Sequence, residues 1–210
     1  GDFSSKYLIF ERINTGSEKL NGMQIRKSLA YGSFMENLYD AANSNEKYLS
    51  LFSTTQIKKD VHVEALLRIL AISDINFGRF LPRRYGIKNV LDEYGEYHRN
   101  TEISVNRLEM IFSYIEQLVD LFQKNHVFRR VNSEREFEGA INIGILESLV
   151  GSFVESQKPI PDNFIDIYKR ELNKLWDAYI LEEQENPFST STGSLESIQK
   201  RYNIFESMIG

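Results

Sequence analysis

Apolar residues recur along this chain at helical spacing, most clearly in residues 60–73. Val63, Leu66, Leu67 and Leu70 fall there at i, i+3, i+4 and i+7, which puts them on one helical face. The same period marks a short helix over residues 5–13, with Leu8, Ile9 and Ile13 on its apolar side. A turn follows at residues 14–19. Asn21 then stands as an N-cap with Gln24 three residues on, the spacing of a capping box. Its helix carries Met23, Ile25 and Leu29, and Gly32 interrupts it before a stretch from Ser33 to Ala42 with Phe34, Leu38 and Ala41 in step.

Residues 74–86 are irregular and end at Gly86. Further helices are expected over 87–99, 101–124 and 134–155. The second of these is the longest, roughly 36 Å at the helical rise. Its stripe is Val105, Leu108, Ile111 or Phe112, Ile115, Leu118 or Val119, and Phe122. Pro159 and Pro161 close that region. Asp162 or Asn163 caps a helix through Leu172, Leu175, Trp176 and Tyr179. A polar loop from Asn186 leads to Ser194, which caps a last helix with Ile198, Tyr202 and Phe205. Sustained period-2 alternation is absent. The pattern predicts an all-α fold, a single irregular multi-helix domain over 1–210 with about eight to ten helices.

Composition narrows the classes. The chain is 41% hydrophobic with 14 Phe and 11 Tyr, enough for a continuous core, and its net charge of -5 excludes an obviously polybasic nucleic-acid protein. It has no Cys, which removes disulfides and thiolate chemistry and fits a cytoplasmic setting. No apolar run approaches the roughly 20 residues of a membrane helix, so no membrane partner is expected.

Motifs for chemistry are sparse. His62, His98 and His126 have no metal-ligand spacing, and no metal site is expected. Asp92, Glu93 and Glu96 read as a solvated acidic face. Neither phosphate-loop pattern nor nucleophile elbow occurs. Pro161-Asp162 before Glu171 and Lys174 hints at a nuclease signature. That chemistry places the second acid and the Lys two apart on a strand, however, and here they are three apart on a helical segment. Basic residues cluster twice. Arg79, Arg83, Arg84 and Lys88 interleave with Phe77, Phe80 and Tyr85, and Arg129, Arg130 and Arg135 flank Asn132. Arginine beside aromatic rings can hold phosphates and stack bases, and equally packs its stem over helix junctions. Glu64 and Arg68 are four apart in the order that favours an ion pair along one helix.

A set of blocks in order resembles the DUF262 family of modification-dependent restriction and phage-defence proteins. The blocks are Phe10-Glu-Arg-Ile-Asn-Thr-Gly16, Leu20-Asn21 and Gln24-Ile-Arg26; then Glu64-Ala-Leu-Leu-Arg68; then Phe128-Arg-Arg-Val-Asn132 with Phe137-Glu138; and last Asn186-Pro-Phe188, Ser191-Thr192 and Lys200-Arg201. The resemblance implies an N-terminal α/β portion carrying I-P-x-Y-Q-R and D-G-Q-Q-R motifs, linked to nucleotide hydrolysis or nicking. Neither motif occurs in this sequence. Residues 1–20 therefore read as the junction to that portion, and no catalytic residue is expected in the chain itself.

The implied cofactors, a nucleoside triphosphate and a divalent metal, would belong to the intact protein, with none in this chain. The implied partners are the missing N-terminal portion and DNA. Phe10, Arg12 and Asn14 lie nearest that portion and are candidate nucleotide- or DNA-facing residues, together with Arg79, Arg83, Arg84, Arg129 and Arg130. His62 departs from the family pattern, which has an acid two residues before Glu64. The alternatives are a protein-interaction or assembly module without a nucleic-acid role, and an enzyme whose Glu and Arg residues form no recognisable motif.

Overall fold

The computed structural model describes residues 3–13, 20–181, 186–188 and 191–210. Among them are eleven helices: α1 Phe3–Ile13, α2 Gly22–Leu29, α3 Ser33–Ser44, α4 Glu46–Leu49, α5 Thr54–Lys58, α6 Val61–Asn76, α7 Ile87–Tyr97, α8 Val105–Phe122, α9 Ile143–Ser156, α10 Phe164–Leu181 and α11 Leu195–Ile209. Strands β1 Arg130–Val131 and β2 Phe137–Glu138 form a small antiparallel hairpin between α8 and α9. The all-α reading holds. The short helices α4 and α5, whose four and five residues are too few to show a period, lift the number above the expected range.

The fold grows around α6. Val63, Leu66, Leu67 and Leu70 are all buried as their spacing requires, but so are Ala65, Ile69, Ala71, Ile72 and Ile75. A helix apolar on every side belongs in the middle of a core. Helices α9, α3, α11, α5, α7 and α2 pack around it, α9 most extensively. The closeness of α9 and α11 depends on Gly151. A Cβ there would lie 2.1 Å from the Tyr202 hydroxyl oxygen, so only glycine lets Tyr202 reach the α9 backbone.

Helix starts follow local rules. Asn21 closes the anticipated capping box: its side chain accepts from the Met23 and Gln24 amides, and the Gln24 side chain accepts from the Asn21 amide. Ser194 caps α11, accepting from the Ser197 amide.

One expected helix is much shorter than its pattern. The apolar period over 134–155 yields a helix only from Ile143, with Asn142 as its N-cap. Residues 134–142 instead complete the hairpin. The Asn132 side chain accepts from the Glu134 and Glu136 amides, a local bond that competes with helix formation. Arg135 and Gly139 adopt positive φ of 61° and 75°, which a helix forbids.

Candidate functional site

Two chains of charged side chains cross the interior, and they draw on residues far apart in sequence. The first is centred on Arg26 of α2. Its Nε donates to Asp92 Oδ1 of α7 at 2.6 Å, and its Nη1 donates to Glu64 Oε2 of α6 at 2.9 Å. The second begins one turn further along α6. Arg68 Nε donates to Glu147 Oε2 of α9 at 2.6 Å, and the other oxygen of Glu147 receives Arg201 Nη2 of α11 at 2.5 Å. Glu147 and Arg201 are wholly out of solvent. Arg201 also donates to the carbonyls of Pro187 and Thr192, both at 2.9 Å, and so ties down the polar loop before α11. Burial pulls the Arg68 pKa down, but the charge and hydrogen bond of Glu147 outweigh it and, with Glu64 adding to them, leave it raised.

The expected pairing of Glu64 with Arg68 is therefore corrected. Each has exchanged its helical neighbour for a partner on another helix: Glu64 pairs with Arg26, and Arg68 with Glu147. Because α6 is sheathed on every side, its charges meet other helices before they meet each other. The same crowding corrects the solvated reading of Asp92, which is buried against Arg26.

A second knot forms on Asp74 at the end of α6. Its carboxylate accepts from Arg79 Nε at 2.7 Å, from Arg107 Nη2 at 2.8 Å and Nη1 at 3.2 Å, and from the Tyr94 hydroxyl at 2.6 Å. Burial alone would raise its pKa. The hydrogen bonds of Arg107 and Tyr94, the Arg107 charge and the Arg79 hydrogen bond outweigh that and hold it below the usual carboxylate value. Arg79 also bridges to Glu155 at 2.9 Å. A cleft of about 340 Å³ opens beside Arg79 and Arg107, but Asp74 and Glu155 already engage both cations.

The remaining candidates scatter. Asn14 lies outside the described residues. Phe10 is half-buried and Arg12 exposed on α1, which packs against α2 and α7. Arg83 and Arg84 are exposed on the loop before α7. The Arg83 amide donates to Glu93, and Arg84 Nε stands 3.9 Å from the same carboxylate. Arg129 bonds the Gly139 carbonyl across the hairpin. Arg130 faces Glu138 in the strand register and lines a small cleft with Leu172 and Phe188. The two basic clusters thus sit on different elements. Glu171 and Lys174 pair with each other at 3.1 Å on the surface of α10.

Four charged residues at these junctions carried no signal in the sequence: Asp74, Arg107, Glu147 and, as a buried partner, Asp92. Glu147 was readable only as a charge falling inside the apolar period of α9. Among the described residues, no group of three His, Asp or Glu side chains is placed to hold a metal ion. No helix among them is long and apolar enough to cross a membrane. No protein-family model, curated protein or solved structure matches the chain.

Proposed function

We propose that the chain is the helical module of a DUF262-type restriction or phage-defence protein acting in the cytoplasm. In this reading it is a scaffold for a nucleotide- and DNA-processing portion of the same protein, to which the nucleoside triphosphate and divalent metal belong. One observation carries the reading. Arg26, Glu64, Arg68 and Arg201 were picked out by the resemblance from three separate blocks, and all four are members of the two buried charge chains. Residues that recur in a family's blocks for the sake of its framework are expected to meet in this way. Such chains hold α2, α6, α7, α9 and α11 in fixed relation, which suits a support better than a moving part.

The DNA contact is assigned to Arg83 and Arg84 on the loop before α7 and to Lys88 in the first turn of α7, three cations exposed on one stretch of chain. Three neutralised phosphates predict binding that weakens roughly fortyfold between about 50 and 200 mM salt, from a slope near -0.9 per phosphate. A titration of duplex DNA at those two salt concentrations, with wild type and Arg83→Glu/Arg84→Glu, tests this. Loss of binding in the variant supports the contact. Absence of binding by wild type at low salt removes DNA from the role of this module and leaves a purely structural one.

A further inference from the structure

The charge chains account for the interior, but one surface feature plays no part in them. A groove of about 640 Å³ runs between α3 and α8. Its floor is made by Ala41, Ile103, Leu108 and Phe112. At its mouth stands Val105, 70% exposed. Its walls carry Asp40, Glu102, Glu109 and Glu116, and no Lys or Arg is among its lining residues. Glu116 accepts from Asn45 at 2.6 Å, whereas Asp40, Glu102 and Glu109 have no ion-pair partner among the described residues.

The order of the residues that α8 contributes matters as much as their sign. Val105, Leu108 and Phe112 are three and four apart and form one stripe. Glu109 and Glu116 lie seven apart on α8 and stand beside that stripe, about 10 Å apart along the axis, and Glu102 lines the groove from the segment just before the helix. An apolar stripe next to an acidic rail is the complement of an amphipathic helix with cationic flanks. The rail repels nucleic acid, so this surface is independent of any DNA contact by the loop before α7.

We propose that this groove docks a basic amphipathic helix of a partner protein. Its apolar residues at i, i+3 or i+4 and i+7 seat on Leu108, Phe112 and Val105. Its Lys or Arg residues, seven apart, lie along Glu109 and Glu116, with a further cation at the Glu102 end of the groove. Docking covers the exposed Val105 and neutralises carboxylates that otherwise repel one another.

The probe is a dye-labelled helical peptide of about 18 residues, Leu on one stripe and Lys beside it. It is titrated against the full chain by fluorescence anisotropy, alongside a scrambled peptide of the same composition in which Leu and Lys do not segregate. Wild type is expected to bind the amphipathic peptide at least about tenfold more tightly than the scrambled one. Val105→Asp and Glu102→Lys/Glu109→Lys are each expected to weaken it by about tenfold or more, as loss of an anchor and reversal of a charged rim predict. All three positions are exposed, so circular dichroism should report an unchanged fold. Equal binding of the two peptides, no binding of either, or an affinity unmoved by either variant overturns the proposal.

Discussion

Glu147 and Arg201 lie 54 residues apart in sequence and meet at 2.5 Å with neither side chain exposed. Two charges removed from water are tolerable only together. Arg201→Met leaves Glu147 with Arg68 alone, and Glu147→Leu leaves two buried guanidiniums facing each other. Each single substitution is expected to cost about 3–5 kcal/mol, the usual penalty for orphaning a buried charge. The triple variant Arg68→Met/Glu147→Leu/Arg201→Met should regain most of that loss, since apolar residues of similar volume commonly replace a buried ion group at little cost. Urea denaturation of the four proteins checks both statements. A triple variant as weak as the singles would show that hydrogen bonds from Arg201 to the loop carbonyls dominate.

The exchange of partners around α6 can be measured directly. A double-mutant cycle between Arg68 and Glu147 should give a coupling of about 2–3 kcal/mol, as for residues sharing one buried network. The cycle between Glu64 and Arg68 should give a few tenths of a kcal/mol, because they act on each other only through space. Comparable couplings in the two cycles would restore the pairing along the helix.

Acid should unlock the Asp74 knot. The folded-state pKa of Asp74 is held below its usual 3.8, so its contribution is complete above that value and is lost as the pH falls through the folded pKa. Stability of wild type should therefore drop more steeply below about pH 4 than that of Asp74→Asn, which begins weaker. Thermal melts between neutral and strongly acidic pH decide it. Parallel curves would contradict the role given to Asp74.

Between neutral pH and about pH 5 a different group should respond. Burial lowers the pKa of His62 from its usual 6.5, although nearby Asp60 partly offsets the shift. The unfolded chain thus takes up a proton before the folded one does. Stability contributed by the neutral ring is present above pH 6.5 and falls away as the pH passes through the folded pKa. His98 is shifted the same way by burial. His62→Gln should shrink the loss of melting temperature over this range, and an unaltered pH slope would count against it.

At Gly151 a single methyl group is expected to separate two helices. With a Cβ predicted at 2.1 Å from the Tyr202 hydroxyl, Gly151→Ala must displace Tyr202 and cost about 1–3 kcal/mol, the range for overpacking. The double variant Gly151→Ala/Tyr202→Phe should recover part of it by removing the oxygen. Denaturant midpoints of the three proteins provide the comparison.

How far the sequence discloses this architecture depends on range. Helices with a long apolar period, α6 and α8 above all, are legible because three-and-four spacing is a property of the segment itself. So are the caps at Asn21 and Ser194, which act within three residues. The hairpin at 130–138 is not, because two-residue strands have no period to read. Partner choice is also hidden. Glu64 and Arg68 look like a pair until Arg26 and Glu147 arrive from other helices, and nothing within α6 announces them. The resemblance did point to Arg26, Arg68 and Arg201, but gave no account of which carboxylates they would meet.

The position of α6 also has a consequence for synthesis. Residues 61–76 leave the ribosome long before α9 and α11, which cover two of their sides. At bacterial or eukaryotic elongation rates of about 5–20 residues per second, the intervening stretch takes on the order of ten seconds to appear. Until then the faces of α6 that α9 and α11 cover in the folded protein are expected to expose their apolar side chains. Exposed apolar surface of this kind is what makes a partly synthesised chain prone to aggregate.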